Sequence, residues 1–192
     1  MKSTLNIALR LILITAVAGL LLGMTYSVTK DPIAIQQQMA ASESRRQVLS
    51  DAADFEQIDL SALSLPEEYS VVQEAYWGLK DGEKVGITVY MIVKGYSAGL
   101  NITVGIGADG TVAGVAIGSH SETPGLGAKA ADAGYLAQYN GLNPPAKVVK
   151  SAPQEAGDVQ AVTGATITST AVANSVNLAA QLYNDYVKGA AQ

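Results

Sequence analysis

The sequence has no cysteine, and its 192 residues include one histidine, His120, one tryptophan and one phenylalanine. The missing thiol excludes thiolate zinc sites, cysteine-ligated iron–sulfur clusters, disulfide exchange and a lipidated cysteine anchor. A single histidine leaves little to build a histidine-rich metal centre. Redox chemistry in this chain would therefore rest on a borrowed organic group. Acidic side chains are absent from the first thirty positions, so residues 31–192 carry nine basic and seventeen acidic groups, a net charge of -8. A domain of that sign is not built to bind nucleic acid.

What is present begins with an uncharged run. Leu11 to Val28 reads LILITAVAGLLLGMTYSV, and as a helix these residues span roughly 27 Å, close to the thickness of a bilayer core. Arg10 is placed to snorkel and Tyr26 to sit at an interface. The competing reading is a cleaved signal peptide with Lys2 and Arg10 as its basic region. No small-x-small cleavage site follows Val28, which favours an uncleaved anchor. Lys2 and Arg10 precede the span, against Lys30 nearby on its far side. This bias places the N-terminus on the cytoplasmic side and the rest of the chain outside, in a single-pass arrangement at the cell membrane.

The length suits one ordinary domain with an appendage. The expected divisions are an anchor at 1–30, a stalk helix and linker at 31–66, and a folded domain at 67–192. After Pro32 the stretch IAIQQQMAASESRRQVLS lacks glycine and proline and reads as a polar helix. Pro66 disfavours helix at Leu65, making Leu60–Pro66 a linker.

Period-two, β-rich runs follow at Ser70–Trp77, Lys84–Lys94, Leu100–Ile106 and Thr111–Gly118, with turn dipeptides Asp81-Gly82 and Asp109-Gly110 between runs. They predict an antiparallel meander. A short helix is expected near Ala130–Tyr139, a strand at Lys147–Lys150 and a loop at Gln154–Asp158. The last helix is expected to start at Thr168 or Ser169, with Val172, Val176, Ala179, Tyr183 and Tyr186 on one face. The fold class is thus α+β: a transmembrane helix and stalk helix, then a mainly antiparallel sheet closed by a C-terminal packing helix.

Two stretches can carry chemistry. Thr163-Gly164-Ala165-Thr166 lies where a helix begins, and free N–H groups at such a terminus stabilise a phosphate without neighbouring lysines. The alternative is a plain helix cap. His120-Ser121-Glu122-Thr123-Pro124-Gly125-Leu126-Gly127 is either a simple turn or a flat bed for a planar ligand, where Gly125 and Gly127 allow close backbone approach and Leu126 gives apolar cover. Lys147 and Lys150 are read as solvated, and Tyr76, Trp77, Tyr90 and Tyr96 as core or packing residues rather than an electron path.

These two motifs, about forty residues apart and in this order, resemble those of the covalent FMN-binding domain family. Within it, an anchor, a short stalk and about 190 residues resemble the G subunits of Rnf ion-translocating electron transport complexes. The C subunit of the sodium-pumping NADH:quinone oxidoreductase is a near relative. The resemblance implies FMN joined by a phosphoester to Thr166, attached by a flavin transferase that uses FAD. It also implies that Thr163, Gly164 and Ala165 shape the acceptor turn, that Glu122, Thr123, Leu126 and Gly127 line the flavin, and that His120 is either a flavin contact or a structural hydrogen-bonding residue. Gln160 stands where many members of the family have an acidic residue, with Asp158 two positions earlier. The implied role is an electron carrier beside the integral membrane and peripheral subunits of a ferredoxin:NAD oxidoreductase complex. A redox-sensing flavodomain and an anchored adhesion-like β domain are the rival readings.

Overall fold

Helix formers and apolar residues run from the N-terminus with one proline among them, and they form a long helix, α1 (Lys2–Val48), in the computed structural model, which describes residues Lys2–Ala191. The chain makes two compact units, one up to Ala41 and one from Ser42 onward. In the first, Asn6–Ile33 is long and apolar enough to cross a membrane, with a mean hydropathy of 2.3. Its hydroxyl groups turn back on the helix: Thr15 donates to the carbonyl of Leu11 (3.0 Å), Thr25 to Leu21 (2.9 Å) and Ser27 to Gly23 (2.8 Å). These hydroxyls are thereby satisfied without water, as hydrocarbon requires. The anchor and stalk, expected to be separate helices about Pro32, are one helical element. Pro32 withdraws its own N–H donor and crowds the carbonyl one turn back, but with no second breaker beside it the helix continues.

The second unit is built on a five-stranded antiparallel sheet in the order β1-β2-β3-β4-β5. Its strands are β1 (Asp54–Gln57), β2 (Val72–Lys80), β3 (Glu83–Val93), β4 (Leu100–Gly107) and β5 (Val112–Ile117). The meander follows the predicted runs. Asp81 and Gly82 both take positive φ, 53° and 84°, giving the two-residue hairpin turn whose twist matches its strands. At the β4–β5 hairpin, the Asp109 carboxylate accepts the amide (3.0 Å) and hydroxyl (2.8 Å) of Thr111. β1 pairs with β2 and was not expected, since DFEQ is too short and too charged to show an alternating pattern. The expected linker holds a turn of 3-10 helix at Leu60–Leu63.

Beyond the meander come 3-10 turns at Gly127–Ala131 and Ala137–Tyr139 flanking α2 (Ala133–Leu136), then β6 (Lys147–Val149), β7 (Asp158–Gln160) and α3 (Thr166–Gln181). β6 and β7 pair in parallel as a small second sheet.

The sheet has two differently covered faces. Ile87, Val89 and Met91 of β3 and Ile102, Val104 and Ile106 of β4 alternate inward and meet Val172, Val176 and Ala179 of α3, all fully buried. This is the predicted apolar face, and it continues to Tyr183, whose hydroxyl donates to the Ala108 carbonyl at 3.1 Å. On the opposite face a cross-strand row runs Tyr76, Thr88, Gly105, Gly114. The end of α1 lies on it. A Cβ at Gly105 would collide with the Val48 carbonyl, and one at Gly114 would sit 3.0 Å from the Val48 Cα. Arg45 pairs with Glu74 at 3.5 Å and places its guanidinium 4.1 Å from the Tyr76 ring centroid. Burying Val48 and Leu49 here contributes about 1.5–3 kcal/mol each.

Candidate functional site

Both sequence motifs fold as the same local device. In Thr123-Pro124-Gly125-Leu126 the Leu126 amide donates to the Thr123 carbonyl at 3.1 Å, and Gly125 has φ 78°. In Val162-Thr163-Gly164-Ala165 the Ala165 amide donates to the Val162 carbonyl at 2.9 Å, and Gly164 has φ 79°. Positive φ at the third position alone marks a type II turn, which glycine enters without strain and which proline favours at its second position.

The two turns meet. A Cβ on Gly164 would lie 3.1 Å from the Leu126 side chain, so the leucine of one turn rests on the glycine of the other. Behind them Glu122, only 5% exposed, accepts the Thr168 hydroxyl at 2.7 Å. Gly127 packs against this pair, with no room for a side chain between the Glu122 carboxylate and the Thr168 hydroxyl. Two segments some forty residues apart in sequence thus form one surface.

The second turn delivers the chain directly into α3, which begins at Thr166 rather than at the expected Thr168 or Ser169. Those two hydroxyls are engaged elsewhere. Thr168 donates to Glu122, and the Ser169 hydroxyl accepts the Val162 amide at 3.0 Å, closing the turn from behind. Ala165 precedes the helix and offers no side-chain cap. The amides of Thr166, Ile167 and Thr168 open the helix, and among the described residues no protein acceptor meets them. A helix start with free amides and no side-chain cap has the donor set and dipole that suit a phosphate.

Around this terminus Thr163, Gly164, Thr166 and Thr123 are set, with the apolar side chains of Leu126 (46%) and Ile167 (59%) exposed beside them. The Thr166 side chain is itself exposed. A third segment, missed in the sequence, joins them. The loop between β3 and β4 places the Ser97 amide 3.0 Å from the other Glu122 oxygen, and its Tyr96 is 68% exposed. Tyr96 is therefore not the core or packing residue expected. Tyr76, Trp77 and Tyr90 are half-buried, with Tyr76 under Arg45 and Trp77 under Lys84. The only hint at Tyr96 was its place in a glycine-flanked loop.

The acceptor turn is also held from its N-terminal side. The Gln138 carboxamide accepts the Gln160 amide at 2.9 Å and donates to the Gln160 carbonyl at 3.4 Å, fixing the chain just before the turn. Asp158, the first residue of β7, turns one carboxylate oxygen back on the loop before it. It accepts the amides of Gln154 (3.0 Å) and Glu155 (3.1 Å), which hold its carboxyl below the usual carboxylate range. Lys147 is 3.9 Å from Glu155 on the exposed surface, in keeping with a solvated role. His120 is half-buried, with its Nδ1 sealed from solvent and unpartnered among the described residues.

Residues 95–181 match the FMN-binding domain family, a stretch that contains both turns, the Ser97 loop and α3. The chain is 36% identical to the G subunit of the Na(+)-translocating ferredoxin:NAD(+) oxidoreductase complex of Acetobacterium woodii, over 97% of this chain and 95% of that one. It is 32% identical to the G subunit of the ion-translocating oxidoreductase complex of Methanosarcina acetivorans, with the same two coverages. Among solved structures it is similar to NqrC of Shewanella oneidensis, at a TM-score of 0.50 and 22% identity, over 63% of this chain and 67% of that one.

Proposed function

The chain belongs to the family of G subunits of ion-translocating oxidoreductase complexes, and from that premise we propose that it carries FMN as a phosphoester of Thr166 and passes electrons within a membrane-bound ferredoxin:NAD+ oxidoreductase. The observation that carries this reading is the start of α3, where an exposed threonine hydroxyl stands beside uncapped backbone amides. The residues present fit the cofactor. Thr166 supplies the oxygen for the ester, and the amides of the first helical turn offer donors to a phosphate. Leu126 and Ile167, with Tyr96 on the third loop, supply exposed apolar surface for a planar ring system.

Attachment is a transfer from FAD catalysed by a flavin transferase. The Thr166 Oγ1 displaces AMP from the pyrophosphate, one O–P bond replaces another, and the hydroxyl proton is released. Thr163, Gly164 and Ala165 shape the turn that presents Thr166. Thr123 accepts two amides at its carbonyl, from Leu126 (3.1 Å) and Ala128 (3.2 Å), which stiffens the facing turn. Once attached, the cofactor supplies one- and two-electron exchange, while the protein sets its orientation and solvent access. Covalent retention suits a domain on the extracytoplasmic side, where a lost flavin is hard to recover. In this reading residues 1–30 are the single-pass anchor with a cytoplasmic N-terminus, 31–66 are the stalk helix and a linker whose β1 joins the sheet, and 67–192 hold the flavin. The partners are the other integral and peripheral subunits of the complex.

Membranes in which Thr166→Ala replaces the wild-type chain test the role. The complex should assemble with its other subunits while electron transfer from ferredoxin to NAD+ falls to background. Undiminished transfer in an assembled Thr166→Ala complex contradicts the proposal.

A further inference from the structure

Sequence resemblance places Glu122 against the flavin, but its carboxylate is engaged on both oxygens. One oxygen accepts the Ser97 amide at 3.0 Å and the other accepts the Thr168 hydroxyl at 2.7 Å. Gly95 and Gly127 wall the group so closely that a Cβ on either would collide with a carboxylate oxygen. Among the described residues no lysine, arginine or histidine pairs with it. A carboxylate buried against two neutral donors is a costly way to fill space. Each bond it makes ends on a different segment of the site: the loop that displays Tyr96, and the first turn of the helix that displays Thr166.

The geometry points to Glu122 as a positioning residue that holds three segments in register, so that the Thr166 hydroxyl is presented against Leu126 before any cofactor arrives. It acts through Thr168 and Ser97, and it rests on the reading of Thr166 as the FMN acceptor. Thr168 lies two residues past the acceptor in the same helical turn. A shift at its hydroxyl moves the acceptor oxygen and the opening amides as one body. Gly127 then has a plain reason to be glycine: it admits the carboxylate that joins the turn to the helix. Small displacements of a reacting oxygen have large kinetic effects, because transfer requires a near-attack arrangement.

The test uses the full-length chain co-expressed with a flavin transferase. The readouts are the initial rate of FMN incorporation by intact-protein mass spectrometry and the visible spectrum and fluorescence anisotropy of the incorporated flavin. Thr168→Val removes one hydroxyl at nearly constant volume, and Glu122→Gln removes the charge and one acceptor. Each should lower the incorporation rate about tenfold and loosen the flavin, with reduced anisotropy. The double variant should lose less than the two single effects combined, because the two residues share one bond. Thr168→Ser, which keeps the hydroxyl, should restore the wild-type rate. Wild-type incorporation rate, spectrum and anisotropy in both Glu122→Gln and Thr168→Val overturn the positioning role while leaving Thr166 as acceptor. A wild-type chain that takes no FMN, like Thr166→Ala, overturns both. Thermal melts separate misfolding from misplacement: Thr168→Val with a wild-type melt and slow incorporation supports the assignment, and loss of incorporation only in variants that melt early overturns it.

Discussion

α1 and α3 are built from the same kinds of residues, aliphatics interspersed with serine and threonine, yet they use them in opposite ways. Along the span in α1 the aliphatic side chains are exposed and the hydroxyls bond to carbonyls one turn back in the same helix. In α3 Val172, Val176 and Ala179 are sealed against the sheet, and the hydroxyls at its start reach other segments: Thr168 to Glu122, Ser169 to Val162, with Thr166 left exposed. One helix closes its polar groups on itself, as hydrocarbon demands. The other uses them to assemble a site.

The largest effects should come from reversing these roles. Val176→Asp puts a carboxylate into the fully buried interface of α3 with the sheet and should destabilise the domain by more than about 4 kcal/mol, enough to abolish its cooperative melt. Leu20→Asp places the same group at the middle of the span, at about 3 kcal/mol against insertion. Membrane fractionation should show the chain released, while tryptophan fluorescence melts of the domain stay unchanged. Should both variants lose the fold, the two helices are not separate in function and the comparison fails.

Gly105→Ala tests the second helix contact of the sheet. Its new methyl meets the Val48 carbonyl at the end of α1, and about 1–3 kcal/mol of destabilisation by denaturant titration is expected. A neutral outcome would mean that the end of α1 sits loosely on the row of Thr88, Gly105 and Gly114.

The smallest effect is electrostatic. The amide and hydroxyl of Thr111 hold the Asp109 carboxyl below its ordinary value at the hairpin that receives Tyr183 from beyond α3. A depressed folded value means that this stabilisation is present above the unfolded pKa of about 3.9 and is lost as pH falls through the lower folded value. Asp109→Asn should flatten the acid limb of a urea-midpoint profile slightly, and acidification should leave membrane retention of either protein unaltered.

Much of this division was legible in the sequence. The span showed as an uncharged run, the meander as period-two strands around Asp81-Gly82 and Asp109-Gly110, and the buried face of α3 in the spacing of Val172, Val176 and Ala179. These are local patterns, repeated often enough to stand out. Thr168 and Ser169 look like caps in the sequence, whereas α3 begins at Thr166 and their hydroxyls serve partners outside the helix that spacing does not reveal. For the same reason the Ser97 loop, exposed Tyr96 and the Gln138 clamp on Gln160 were missed. The Ser97 and Gln138 bonds each join segments more than twenty residues apart. Glu122 stands out in the sequence by its motif, whereas its burial and its bonds to Ser97 and Thr168 show only in the fold.

In-gel flavin fluorescence after denaturing electrophoresis reads whether the exposed hydroxyl opening α3 holds the cofactor. The full-length chain and its Thr166→Ala, Thr166→Ser and Thr163→Ala variants would each be co-expressed with a flavin transferase. Fluorescence that survives denaturation in the wild type and in Thr163→Ala, persists when serine keeps the hydroxyl and vanishes in Thr166→Ala is the expected result. Fluorescence retained in Thr166→Ala, or absent from the wild type beside a demonstrably active transferase, would contradict it.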